Sequence, residues 1–340
     1  MRQREQFSHR AGKLKTAALL ALALVAGGVA VLIAVVDPGG AAEAIPLLSS
    51  RSCLECHPGV AAEWQASHHA FAFENPEVRK LSNEFANEEC LACHAPRPVL
   101  AFAPGERVLA RGAERGLGVD CLACHGLPDG DGVATANPDP RSGAPCRPRT
   151  VPRMASVEHC ASCHNQHGTV DQWRAAPAEF GGSALRGEGC LHCHMPEQRR
   201  SGGRVGADHA FRAAHDVAAL QAAVEFDGGW DPAQAWVEVR NVAAAHNFPT
   251  DERSRAADVQ VRWRGEDGAW GEWQHVWRLR DPYRDEVELT NTQLPAGETW
   301  RELLPVPEGS REGEVRLMYR TNPFQPDAEA AELHRVPLRP

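Results

Sequence analysis

The stretch GVDCLACHG, Gly118 to Gly126, holds two cysteines three positions apart with a histidine directly after the second. The same pattern recurs as CLECH (Cys53 to His57), CLACH (Cys90 to His94), CASCH (Cys160 to His164) and CLHCH (Cys190 to His194). This spacing is the attachment signature of a c-type haem. Two thiols so placed can add across the two vinyl groups on one haem edge, and the next residue then brings its imidazole beneath the ring to the iron. Disulfides within the pairs, or zinc knuckles, would use the same cysteines. Neither calls for a histidine at one offset five times.

The expectation is therefore five covalent haems, carried by Cys53 and Cys56, Cys90 and Cys93, Cys121 and Cys124, Cys160 and Cys163, and Cys190 and Cys193. His57, His94, His125, His164 and His194 are then the proximal iron ligands. First cysteines follow one another at intervals of 37, 31, 39 and 30 residues. That is too dense for each haem to have its own protein core, so the haems must pack on one another and supply much of the apolar interior. Cys146, in APCRP, is the eleventh cysteine and has no partner in the pattern.

Working outward, 36 basic against 45 acidic residues give a formal charge of -9, to which haem propionates would add. The acidic balance argues against nucleic-acid binding, which usually needs a basic face. Residues 1–16 carry Arg2, Arg4, Arg10, Lys13 and Lys15, and Ala17 to Val36 is then free of charge. Twenty helical residues span a bilayer core. The reading is a cytoplasmic basic segment (1–16), an inner-membrane anchor (17–36) and a linker (37–50) that place the body of the protein in the periplasm. A cleaved signal peptide, with Ala42 and Ala44 at its processing site, is the alternative.

The fold class expected is mixed. Residues 51–216 form an irregular, mainly α multihaem domain, with Val60 to Phe73 and Pro76 to Glu88 helical and Gly126 to Arg153 a long loop. Residues 217–340 form an all-β, sandwich-like domain. Ala257, Val259, Val261 and Trp263 alternate with Asp258, Gln260, Arg262 and Arg264, the period of a half-buried strand. Similar runs occur at Trp236 to Val242, Trp273 to Leu279, Thr299 to Val306 and Val315 to Tyr319, and Asp327 to Leu333 reads as a terminal helical turn. Seven of nine tryptophans lie between Trp230 and Trp300, where burial in the sandwich core is the expected use.

Four methionines cannot serve five irons from the correct side of a membrane, so bis-histidine ligation is expected. His68 and His69 are adjacent and point apart, so one faces a given iron and the other lies at the surface or near a propionate. His167 is the fifth distal candidate, with His159 in reserve. His192, His275, His9 and His334 read as surface or structural.

The segment WQASHHAFA, with GVDCLACHG and CLHCHMP, resembles the periplasmic multihaem cytochromes c, the class that includes the tetrahaem cytochrome accepting electrons from hydroxylamine oxidation. This resemblance implies His69 as a distal ligand. DHAFRAAHD resembles the segment after the family's last site and implicates His209 and His215; HNFPT resembles a motif opening the β domain of related cytochromes and implicates His246. Asp251 stands where that motif has glycine.

Saturated irons imply an electron carrier, exchanging electrons with a quinol dehydrogenase or another periplasmic cytochrome. An open iron would instead allow reduction or oxidation of a small nitrogen or sulfur compound. No Cys-x-x-Cys-Lys site occurs. In a third reading the β domain binds a partner protein.

Overall fold

The computed structural model describes residues 47, 49–141, 143–177, 189–231, 234–250, 254–283 and 285–340. The basic segment, the anchor and nearly all of the linker lie outside the described residues, as do His9 and Asp251. Among the described residues no helix is long and apolar enough to cross a membrane.

The chain divides into two compact units, one comprising Leu47–Pro140 and Arg149–Pro340, the other Met1–Pro46 and Arg141–Pro148. The larger unit contains all five cysteine pairs together with the β region. The part before the β region includes helices of four to eight residues that end at or near four of the motif histidines: Arg51–Cys56, Leu91–His94, Cys121–His125 and Val157–His164. Such helices are too short to be stable alone. The helix expected from Val60 to Phe73 is Pro58–Gln65 and gives way to turns, and the one expected to run to Glu88 is Pro76–Leu81. Asn83, Glu84 and Phe85 there take left-handed backbone angles that end the helix. The region from Gly126 to Arg153 is loop apart from two short strands, β1 (Val133–Thr135) and β2 (Pro148–Thr150), and a terminal 3-10 turn. A small hairpin follows the last motif, β3 (Glu197–Arg199) with β4 (Val205–Ala207).

After the helix Val217–Ala223 come β5 (Val224–Trp230), β6 (Ala235–Asn241), β7 (Ala256–Arg264), β8 (Gln274–Leu279), β9 (Thr299–Leu304), β10 (Glu312–Arg320) and β11 (Ala331–Leu338). They form two antiparallel sheets, ordered β11-β10-β7-β8 and β5-β6-β9. Val237 and Val239 of the smaller sheet share a core with Ala257, Val259, Val261 and Trp263 of β7 and with Val315, Leu317 and Tyr319 of β10. Of the helical turn expected at Asp327 to Leu333, residues 327–330 do form a turn, but Ala331 onward pairs with β10: Val336 and Leu338 alternate toward the core, and Leu333 joins it at a register shift.

The outward side of β7 is not solvated as alternation alone implies. Asp258 and Gln260 are buried because Arg278, Arg316, Arg320 and Asp327 cover them. The tryptophans also depart from the expected core. Trp263 is buried, but Trp273 lies on the outer face with the Arg262, Arg316 and Arg335 guanidinium groups over its ring, and Trp236 carries Arg301. Trp277 of β8 stacks on Trp300 of β9 and bridges the edges of the two sheets. Arginine and indole are a favourable surface pair, so aromatic residues need not go inside.

Candidate haem-binding histidine pairs

The motif quoted first is positioned by the three residues before it. Asp120 caps the helix Cys121–His125 by accepting from the Ala123 amide at 2.9 Å, a contact that satisfies an otherwise unpaired helix-terminal donor. Its carboxylate is held by Arg111 at 2.9 Å. The Val119 amide donates to the His69 carbonyl at 2.8 Å, and the Val119 carbonyl accepts from the Trp64 indole at 2.8 Å. Ser67 donates its hydroxyl to the Trp64 carbonyl at 2.7 Å. Trp64, Ser67 and His69, spaced as in WQASHH, thus form one brace against GVDC.

The histidines fall into facing pairs contributed by distant segments. His125 and His209 have ring centres 6.2 Å apart with planes inclined by 26°. For His194 and His246 the values are 6.3 Å and 13°, and for His69 and His164 they are 5.9 Å and 56°. Two imidazoles sharing a metal ion about 2 Å from each ligating nitrogen would have ring centres about 6.3 Å apart. All three separations are close to that distance.

The tautomers agree with this. Nδ1 of His94, His125, His194, His209 and His246 lies 2.8 to 3.0 Å from the carbonyl oxygens of Ala72, Ala134, Arg212, Ala207 and Asn247 respectively. A carbonyl can only accept, so Nδ1 carries the proton and Nε2 keeps the lone pair, the usual arrangement for a metal-binding histidine. Burial pushes His125, His194 and His209 below the ordinary imidazole range and favours this neutral form. The residues therefore fit an iron porphyrin held between paired Nε2 atoms.

His246 is held by its loop. Asn241, fully buried, donates through Nδ2 to the carbonyls of His246 and Leu294 at 2.8 and 3.0 Å. Gln172 accepts from Thr250 at 2.5 Å, and Gln293 donates to the Pro249 carbonyl at 2.7 Å, so the helix Thr169–Ala175 and the loop before β9 both clasp HNFPT.

Other predicted residues are placed differently. His215 stacks on His68 with ring centres only 3.4 Å apart, too close for a metal between the planes. His68 is exposed, and His192 and His275 are exposed as well. His334 is half-buried and faces the Gln221 carbonyl at 3.2 Å. His167 is half-buried. Both ring nitrogens of His159 are out of solvent without a hydrogen-bond partner, and burial, with His125 and Arg153 nearby, pushes it down to about 4. None of the eleven cysteines is bridged.

Residues 52–126, which contain the first three motifs, match the family described as cytochrome c554 and c-prime. The fold is similar to that of a penta-heme cytochrome c552 from Thermochromatium tepidum, with a TM-score of 0.60 over 87% of this chain and 100% of that one, at 18% identity. The family match covers less than a quarter of the chain, and the likeness to the solved structure is one of fold. No curated protein matches. The braces found here were only partly legible in the sequence. Asp120 stands directly before a cysteine that opens a helix, a capping signal. Glu63 and Arg200, which brace His209, carried no local signal, whereas Phe211, beside His69 and His209, lies in the DHAFRAAHD segment.

Proposed function

We propose that this chain is a pentahaem c-type cytochrome that carries electrons along closely packed bis-histidine haems. The supporting observation is the set of three imidazole pairs near 6 Å, each joining segments more than 50 residues apart in the sequence. The ten motif cysteines would hold five haems, and His125 with His209, His194 with His246, and His164 with His69 would hold three irons from both sides. His57 and His94 would hold the other two, with His159, His167 and His215 as the pool of distal ligands; the unpartnered ring of His159 places it first. When bound, each haem supplies a one-electron couple. The protein orients the imidazoles, fixes their tautomer and shields them from water.

The body is proposed to face the periplasm, tethered by residues 17–36, with a quinol dehydrogenase or another periplasmic cytochrome as redox partner. Electron paramagnetic resonance of the oxidised protein tests the carrier reading. Low-spin signals alone are expected. A high-spin signal, with carbon monoxide binding on reduction, would instead support the alternative, a reductase or oxidase of a small nitrogen or sulfur compound.

A further inference from the structure

We propose that the Glu63–Arg200 ion pair sets the reduction potential of the haem held between His125 and His209, acting through the Ala207 carbonyl and the His209 backbone. This rests on the haem-pair reading above.

Glu63 lies on the helix Pro58–Gln65, and Arg200 directly follows β3. Arg200 grips both oxygens of Glu63 as a fork, with Nη2 at 2.7 Å from Oε2. The same Nη2 donates to the Ala207 carbonyl at 2.6 Å. That carbonyl also accepts the Nδ1 proton of His209 at 2.9 Å, while Glu63 Oε2 accepts the His209 amide at 3.0 Å. One carbonyl thus serves a guanidinium and a ligand imidazole together.

Hydrogen bonding at Nδ1 tunes the basicity of a metal-bound histidine. A guanidinium on the shared carbonyl draws its electron density away from the imidazole, making the ring a weaker donor and favouring the reduced iron. Glu63 opposes this with a negative charge that favours the oxidised iron. The two side chains are only 16% and 20% exposed, so salt screens them less than a surface pair. The acid of Asp208 also faces Arg200 and adds to the balance. Among the hydrogen bonds of the described residues, the Nδ1 acceptors of His125, His194 and His246 carry no charged side chain.

Opposite signs separate tuning from simple support. Redox titration of the holoprotein, followed by low-spin resonance signals, should show one of the components moving upward in Glu63→Gln and downward in Arg200→Gln. The double variant should return close to wild type, because the pair is neutral overall. Arg200→Lys, which keeps the charge, should largely restore the potential. Mass spectrometry should find the same haem number in each variant. Unchanged potentials, or shifts of the same sign in both single variants, would overturn the proposal. A failure of the underlying pair is separately visible: His209→Ala would then leave the spectrum wholly low-spin.

Discussion

A Cβ on Gly118 would lie 2.4 Å from the carbonyl oxygen of His69, so the motif segment and the histidine segment touch backbone to backbone. Gly118 also has φ 60° and ψ -134°, a conformation that side chains rarely adopt. Gly118→Ala should therefore push the His69 turn away from His164. The expected cost is about 1–3 kcal/mol, together with a perturbed low-spin signal from one haem. Equilibrium unfolding and resonance spectra measure the two effects, and a variant identical to wild type in both would remove the brace from the account.

His246→Ala should leave haem attachment intact, because the thiols and His194 are untouched. One iron should become high-spin and bind carbon monoxide when reduced. His275→Ala, on the exposed edge of β8, should leave the spectrum unchanged. Equal spectra for both variants would reject His194 and His246 as a pair.

Replacing Cys121 and Cys124 together by serine should lower the mass of the purified protein by one haem, whereas Cys146→Ser should leave the mass of the haem complement unaltered. Intact-protein mass spectrometry reads both. Loss of haem with Cys146→Ser would show that the eleventh cysteine takes part in attachment.

Asp258 is 1% exposed and accepts from Arg278 at 2.6 and 2.8 Å and from Arg320 at 2.6 Å. Burial works against its ionisation, but hydrogen bonds from Arg278 and Arg320, with His275 Nε2 3.7 Å away, outweigh that and hold the carboxyl well below the usual range. A depressed carboxylate contributes stability that is fully present above the unfolded value, about 3.9, and is lost as pH falls below it. Asp258→Asn should cost about 3–5 kcal/mol at neutral pH because it leaves buried guanidinium groups without their anion. Wild type should lose stability more steeply than the variant below about pH 4. Thermal unfolding followed by circular dichroism across pH gives the comparison; parallel curves would contradict this role.

The attachment sites needed only local sequence, since a Cys-x-x-Cys-His unit places thiols and imidazole within one helical turn whatever surrounds it. The β7 strand was equally legible, because alternation is a property of one strand. The strand at Ala331–Leu338 was not, as its pattern yields to helix until β10 lies beside it. The indoles of Trp236 and Trp273 were misplaced for a related reason: their arginine partners come from other strands or from elsewhere along the chain.

Which candidate distal histidine faces which motif histidine belongs to the tertiary level. Sequence alone showed five Cys-x-x-Cys-His units, each with its histidine at one offset, and pointed to a β-sandwich-like region after about residue 217. It offered His69, His209, His215 and His246 as equals. Folding brought His69, His209 and His246 opposite His164, His125 and His194 but stacked His215 on His68. Pairing across an iron depends on where two backbones sit some 6 Å apart, and that distance is set by contacts such as Gly118 against His69 and Glu63 with Arg200, between residues far apart in the chain.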